Sequence, residues 1–275
     1  MKEIVKISRP RFWLYTAGPY LLGYAASSRS SEDLLSFLFL VCLLYFLIPS
    51  NFYLYGINDL FDRDTDIHNP KKGSKEVLST DLGVGPLLVV VVASLIISLV
   101  MIIILQGVAR LLMGLYIALS TLYSTPPARL KTRPLLDSYS NSLYALPMII
   151  GYAQNAGVLP RIDILIASIA WTASMHAFSA IPDIEYDRRA GLKTIAVWLG
   201  LRGTLIFCAI NWAIASLIAI NYDILLIPSI LYPAIPMYLL SRIDKVEKVY
   251  WLFPYINGIM GFLAFLYVIY RRGFI

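Results

Sequence analysis

Asn58-Asp59-Leu60-Phe61-Asp62-Arg63-Asp64-Thr65-Asp66 closes one long apolar run, and Asp183-Ile184-Glu185-Tyr186-Asp187 closes another. Each run is about twenty residues, the length that crosses a bilayer. Carboxylates at the mouth of such a helix are expensive and mark function for that reason. The rest of the chain agrees. Its 275 residues are 59% hydrophobic and 15% charged, and the mean hydropathy is +0.71. Soluble domains are about a quarter charged and at most about half apolar, so this composition belongs to an integral membrane protein. Nearly every long stretch is apolar, which predicts an all-α membrane protein with residues 1–275 forming a single polytopic domain.

Nine spans are expected, at 10–27, 34–58, 82–106, 108–124, 135–155, 162–183, 202–220, 222–240 and 249–270. The net charge of +6 raises nucleic acid as a partner, but its distribution argues against that. Of the 23 Lys and Arg, 18 fall in the N-terminal segment and in the loops after the second, fourth, sixth and eighth spans. The other side keeps only Arg29, Arg110, Arg161, Arg271 and Arg272. That asymmetry is the positive-inside pattern. It places the N-terminus and both acidic clusters in the cytoplasm and the C-terminus outside. Lys2, Lys6 and the apolar run before Ala25-Ala26-Ser27 resemble a signal peptide, but Arg9-Pro10-Arg11 runs straight into an aromatic-rich helix. Cys42 and Cys208 lie in apolar spans without metal-ligand spacing and are expected to pack as small hydrophobes.

If the first helix continues past the bilayer edge, Asn58, Asp62 and Asp66 fall on one face, one turn apart. Asp59 shares part of that face, and Asn51 and Tyr55 continue the stripe inward. Asp183 and Asp187 have the same i, i+4 spacing, with His176 seven residues earlier. Oxygen donors without a Cys or His cluster favour Mg²⁺. Mg²⁺ takes few carboxylates and fills its shell with water and phosphate oxygens, so the two clusters suit Mg²⁺ ions around a diphosphate. Arg63 sits inside the first cluster, Lys193 follows the second, and Arg129 and Lys131 follow the Tyr123-Ser124-Thr125-Pro126-Pro127 turn; these four could supply positive charge for it. The plain alternative is that the acids are solvated or paired with nearby Arg and Lys; it weakens when two clusters share one side and one spacing. Asp137 reads as a cap of the fifth helix, and His176 as a packed polar residue or a catalyst. Ile57-Asn58-Asp59 leading to Asp62-Arg63, and Ile181-Pro182-Asp183 leading to Asp187-Arg188, form a faint internal echo. It hints at two four-helix halves plus a ninth helix.

Asn58-Asp59-x-x-Asp62-x-x-x-Asp66 resembles the first signature of the UbiA superfamily of intramembrane prenyltransferases, and Asp183-x-x-x-Asp187 resembles the second. Several further stretches are most similar to the carotenoid branch, the lycopene elongases: Ser8-Arg9-Pro10-Arg11-Phe12-Trp13, Asn69-Pro70-Lys71-Lys72, Tyr123-Ser124-Thr125-Pro126-Pro127-Ala128-Arg129-Leu130-Lys131 and Arg133-Pro134-Leu135-Leu136-Asp137-Ser138. The resemblance implies that Asn58, Asp62, Asp66, Asp183 and Asp187 hold Mg²⁺ and a prenyl diphosphate, with Asp59 as a helper. It implies diphosphate contacts from Tyr123, Arg129, Lys131 and Lys193, and a cap from loops 63–81 and 184–201. Pro126-Pro127 departs from the tyrosine-to-lysine spacing of the quinone branch, which leaves open which of Tyr123, Arg129 and Lys131 does the corresponding work.

The expected reaction is Mg²⁺-dependent transfer of an allylic group, dimethylallyl in the carotenoid branch, to a lipophilic acceptor such as lycopene reached through membrane lipid. Asn51, Tyr55 and His176 are candidates for handling the proton that follows. An aromatic quinone precursor, a haem or a glycerol lipid are alternative acceptors. A transporter is the alternative of another class, but it would place its charges near mid-span.

Overall fold

The structure, a computed structural model, describes residues 2–62 and 83–275. In chain order the helices are α1 (Lys2–Ile7), α2 (Leu14–Ser27), α3 (Phe37–Leu47), α4 (Pro49–Phe61), α5 (Val84–Ile104), α6 (Gly107–Ser124), α7 (Leu136–Tyr139), α8 (Leu146–Ala156), α9 (Ile162–Ala180), α10 (Ile184–Arg189), α11 (Ile195–Tyr222), α12 (Leu231–Leu240) and α13 (Val246–Arg271). No strand occurs among the described residues. Among the described residues six segments are long and apolar enough to cross a membrane: Phe37–Phe61, Val84–Ile104, Gly107–Ser124, Ile162–Arg189, Ile195–Tyr222 and Ile243–Arg271.

The other three expected spans take shorter or broken forms. Helix α2 has 14 residues, about 21 Å at 1.5 Å per residue, which is short of the hydrocarbon thickness. Span 135–155 is divided into α7, a 3₁₀ stretch at Ser140–Tyr144 and α8. Span 222–240 begins as a 3₁₀ stretch, Ile224–Ile230, before α12.

The helices gather into two compact units, Met1–Arg129 with Leu146–Leu159 and Arg272–Ile275, and Leu130–Ala145 with Pro160–Arg271. The boundary therefore differs from a division into four consecutive helices twice over, because α8 joins the N-terminal helices.

In the first unit, α3 and α4 form one membrane-length segment broken at Ile48. Pro49 has no N–H and cannot continue the helical ladder. Side chains take up the carbonyls ahead of it. Phe46 O accepts from Thr16 Oγ1 at 2.5 Å, Ser50 Oγ at 2.9 Å and Asn51 Nδ2 at 2.9 Å, and Leu47 O accepts from Asn51 Nδ2 at 3.1 Å. Around the break Tyr20, Tyr24, Phe39 and Phe46 stack into a buried aromatic layer. Tyr45–Ser98 and Tyr53–Thr121 hydrogen bonds, 2.9 and 2.6 Å, tie α3 to α5 and α4 to α6.

In the second unit, α9 and α11 run antiparallel. Ser174 and Cys208 exchange hydrogen bonds, Trp212 Nε1 donates to Trp171 O at 3.2 Å, and Arg161 lies 5.7 Å from the Tyr222 ring centroid. Phe178, Trp212, Tyr232 and Phe253 form the aromatic centre of this unit. Cys42 and Cys208 are both buried, as expected of small core hydrophobes.

The closest helix approach in the first unit is between α2 and α8. A Cβ on Gly23 would stand 1.9 Å from Met148 O, and one on Gly151 would stand 2.4 Å from Tyr20 O. Backbone cannot yield as a flexible side chain can, so these glycines let two backbones touch. We expect Gly23→Ala and Gly151→Ala each to destabilise the protein by about 3 kcal/mol, the upper end of the overpacking range. Gly114→Ala, where a Cβ meets nothing within 4 Å, serves as the control. Thermal melting of the detergent-solubilised variants measures this.

Candidate active site

The first acidic segment sits where α4 stops. Asp62 is the C-cap, with φ −105° and ψ 3°, and its N–H donates to Asn58 O at 3.0 Å. Helix α4 ends at Phe61. Asp66 and Arg63 lie outside the described residues, as does loop 63–81, so the three-turn acidic face is shown only for Asn58 and Asp62. Two features of α6 and its exit complete this part. Ser124 Oγ donates to Asn58 Oδ1 at 3.1 Å. Past Ser124 the chain curls, with Arg129 N–H bonded to Thr125 O at 2.8 Å, and Arg129 Nη2 reaches Asp62 Oδ1 at 3.1 Å. Asn58, Asp62 and Arg129 are thus brought together, and Tyr123 stands half-buried in the last turn of α6.

Asp59 takes another direction. It is 4% exposed, and its Oδ1 accepts from Arg9 Nη2 at 2.9 Å. The guanidinium of Arg9 also lies 4.7 Å from the Tyr55 ring centroid. Sequence spacing placed Asp59 with Asp62; the structure gives the two carboxylates different arginines. Tyr55 belongs to the Arg9 group, and Asn51 is committed to the α3–α4 break. Arg9 itself holds a left-handed backbone, φ 48°, which costs a non-glycine residue about 1 kcal/mol. The ion pair of half-buried Arg9 with buried Asp59 is the compensation on view.

The second acidic segment begins where α9 gives way to a 3₁₀ turn, Ile181–Asp183, containing Pro182. The missing N–H of Pro182 interrupts the ladder, and α10 follows. Asp183 is half-buried and Asp187 is 9% exposed. Asp187 Oδ2 accepts from Thr194 Oγ1 at 3.3 Å. Between them the chain turns at Gly191, φ 73°, and Leu192 N–H returns to Asp187 O at 2.9 Å. Lys193 is exposed beside Thr194. The stretch 184–201, expected as a loop, is mostly helical: α10, then the first turn of α11, which breaks at Gly200 with φ 67°. Its charges, Glu185, Asp187, Arg188, Arg189 and Lys193, gave the stretch the look of a loop, although four of the five lie on α10.

Asp137 was read as a cap of its own helix. Its side chain does accept Ser138 N–H at 2.8 Å, but Oδ2 also accepts Ile195 N–H at 2.6 Å. It therefore caps the start of α11. His176 is half-buried, with Nε2 3.8 Å from Asp137 Oδ2. Lys131 is half-buried in a 3₁₀ turn, Leu130–Thr132.

Sequence reasoning passed over four contributors: Arg9, Ser124, Asp137 in its actual role, and Thr194. Thr194 did carry a signal, a threonine just before an apolar helical run, and its Oγ1 accepts Val197 N–H at 3.3 Å. Arg9 and Ser124 lay within stretches that resemble the lycopene elongases, but nothing local gave their partners, since both act across the fold. Among the described residues no three His, Cys, Asp or Glu converge. The donors at Asn58, Asp62, Asp183 and Asp187 are all oxygens and few per cluster. That set fits Mg²⁺, which leaves most of its shell to phosphate and water, and not zinc.

The UbiA prenyltransferase family matches this sequence over residues 16–250. The chain belongs to that family. Lycopene elongase/hydratase of Haloferax volcanii is 40% identical over 266 residues, covering 96% of this chain and 88% of that protein. Lycopene elongase/hydratase of Haloarcula japonica is 39% identical over 259 residues, covering 94% and 88%. A UbiA homologue from Archaeoglobus fulgidus, solved bound to DMAPP and Mg²⁺, superposes with a TM-score of 0.74 over 99% of this chain and 100% of that one, at 23% identity. The protein is thus a UbiA-type prenyltransferase of the membrane.

The Arg9–Asp59 pair generates a prediction. Arg9→Ala leaves a buried carboxylate without its arginine and should cost about 3 kcal/mol. Asp59→Ala added to Arg9→Ala should restore part of that loss. Urea unfolding in mixed micelles reads both, and equal losses in the single and double variants would show that the pair does not hold the N-terminal segment.

Proposed function

We propose that this prenyltransferase moves a dimethylallyl group from dimethylallyl diphosphate to the end of a carotenoid such as lycopene, with Mg²⁺ as cofactor. The observation that carries the acceptor is the 39–40% identity to lycopene elongase/hydratases over 94–96% of the chain. The all-oxygen clusters at two helix ends support the donor. Asn58, Asp62, Asp66, Asp183 and Asp187 hold the metal and the diphosphate. Arg63, Arg129, Lys131 and Lys193 bring positive charge, and Tyr123 adds a hydroxyl. When bound, Mg²⁺ supplies charge that stabilises the departing diphosphate oxygens.

The allylic C–O bond breaks with its electron pair leaving on the diphosphate, and Arg129 and the lysines offset the charge that develops there. A terminal double bond of the acceptor attacks the allylic cation and forms the new C–C bond. The resulting cation then loses a proton or takes up water. Of the three residues considered for that proton, Asn51 is bound at a helix break and Tyr55 lies under Arg9. His176 is the one we assign to it. Nine crossings with the N-terminus and the acidic ends in the cytoplasm, and the C-terminus outside, follow from the positive-inside pattern.

Expression in a lycopene-producing host followed by mass spectrometry of the lipids tests this reading. Carotenoids heavier by one or two isoprenoid units, with or without water, are expected. Asp62→Ala or Asp183→Ala should lower their yield by more than about 100-fold, and EDTA should stop the purified enzyme until Mg²⁺ is restored. Full activity in either variant overturns the metal assignment. Prenylation of an aromatic, haem or glycerol-lipid acceptor in place of lycopene moves the acceptor to that class.

A further inference from the structure

We infer that Asp137 is a positioning residue for prenyl transfer, setting the carboxylate of Asp187 through the Thr194–Ile195 turn. The inference rests on the reading of Asp187 as a diphosphate and Mg²⁺ residue. Asp137 is fully buried, and it reaches the turn by accepting Ile195 N–H at 2.6 Å. Ile195 is the first residue of α11. A helix start presents N–H groups without helical partners and a partial positive charge, so a carboxylate there binds short and strongly.

The residue just before, Thr194, is buried too. Its hydroxyl donates to Asp187 Oδ2 at 3.3 Å and accepts Val197 N–H at 3.3 Å. Two consecutive residues are therefore tied to two carboxylates, Thr194 to Asp187 and Ile195 to Asp137. The Asp187 carboxylate is oriented by a hydroxyl whose own place depends on the first turn of α11, and Asp137 pins that turn. Gly191 and Gly200, both with positive φ, bracket the segment and set it apart from regular helix on either side. Lys193 lies inside the bracket, so its placement depends on the same pin. Asp137 need not touch substrate for any of this.

The test uses the purified full chain with dimethylallyl diphosphate, lycopene and Mg²⁺. Asn keeps a carbonyl oxygen that can accept Ile195 N–H and caps about as well as Asp, so Asp137→Asn should stay within about threefold of the parent. Asp137→Ala and Thr194→Val should lose about 10- to 100-fold, the range for groups that orient a metal ligand. The loss should appear as a raised KM for the prenyl diphosphate and a raised Mg²⁺ requirement. Asp137→Asn as inactive as Asp137→Ala overturns the inference, because it would make the charge itself essential. So does a parental KM in Thr194→Val while Asp187→Ala is inactive. Should Asp137→Ala fail to fold, Asp137→Asn and Thr194→Val decide the matter. Parental activity in Asp187→Ala would instead overturn the site reading beneath it.

Discussion

A backbone N–H or C=O that loses its helical partner inside a membrane has no water to turn to. Each interruption of a helix must therefore bring its own donors and acceptors, and this constraint shapes both units of the protein. At the α3–α4 break, Thr16, Ser50 and Asn51 satisfy the carbonyl of Phe46 at the end of α3. The start of α11 follows the charged 184–193 stretch, and there too buried side chains, Asp137 and Thr194, satisfy the first N–H groups. At the 3₁₀ stretch before α12, Ser216 Oγ takes the carbonyl of Ser229 at 2.8 Å. Buried polar side chains, costly elsewhere, are placed where the backbone needs them.

The same interruptions carry the acids. Asp62 is the residue at which α4 ends, Asp183 closes a 3₁₀ turn, and Asp187 faces the start of α11. A helix end offers a carboxylate what a helix middle does not: a nearby unpaired backbone group, an adjacent loop that can bring an arginine, and access to a charged substrate. Asp62 has Arg129 and Asp59 has Arg9, so charge enters this apolar chain accompanied. On the function proposed above, the residues that end the helices are also the ones assigned to the diphosphate.

Legibility followed from how local each feature was. The membrane character, the helical class and both acidic segments were readable because twenty apolar residues followed by carboxylates need no partner to be recognised. The family followed from motif spacing, which is local too. The helix breaks were not anticipated: spans 34–58 and 162–183 were read as unbroken although Pro49 and Pro182 lie within them, and the side chains that repair the first break include Thr16, which comes from elsewhere in the chain. Asp59 was misplaced because helical spacing predicts a face but not which arginine will meet it. Asp137 was correctly read as a cap and assigned to the wrong helix, since its acceptor can serve any N-terminus within reach. The contact of α2 with α8 went unseen because Gly23 and Gly151 look like ordinary glycines until their backbones touch.

The echo between Ile57-Asn58-Asp59 and Ile181-Pro182-Asp183 has a structural answer. Near the first, α4 keeps helical hydrogen bonding to its cap at Asp62. Near the second, Pro182 converts the chain to a 3₁₀ turn before helix resumes. Asn58 and Pro182 are the same step in the echo and do opposite things, one offering an oxygen donor and the other removing an N–H. The local partners differ as well: Ser124 and Arg129 at the first, Thr194 at the second. What the two segments share is therefore the placing of carboxylates beyond an apolar helix and not a repeated local structure.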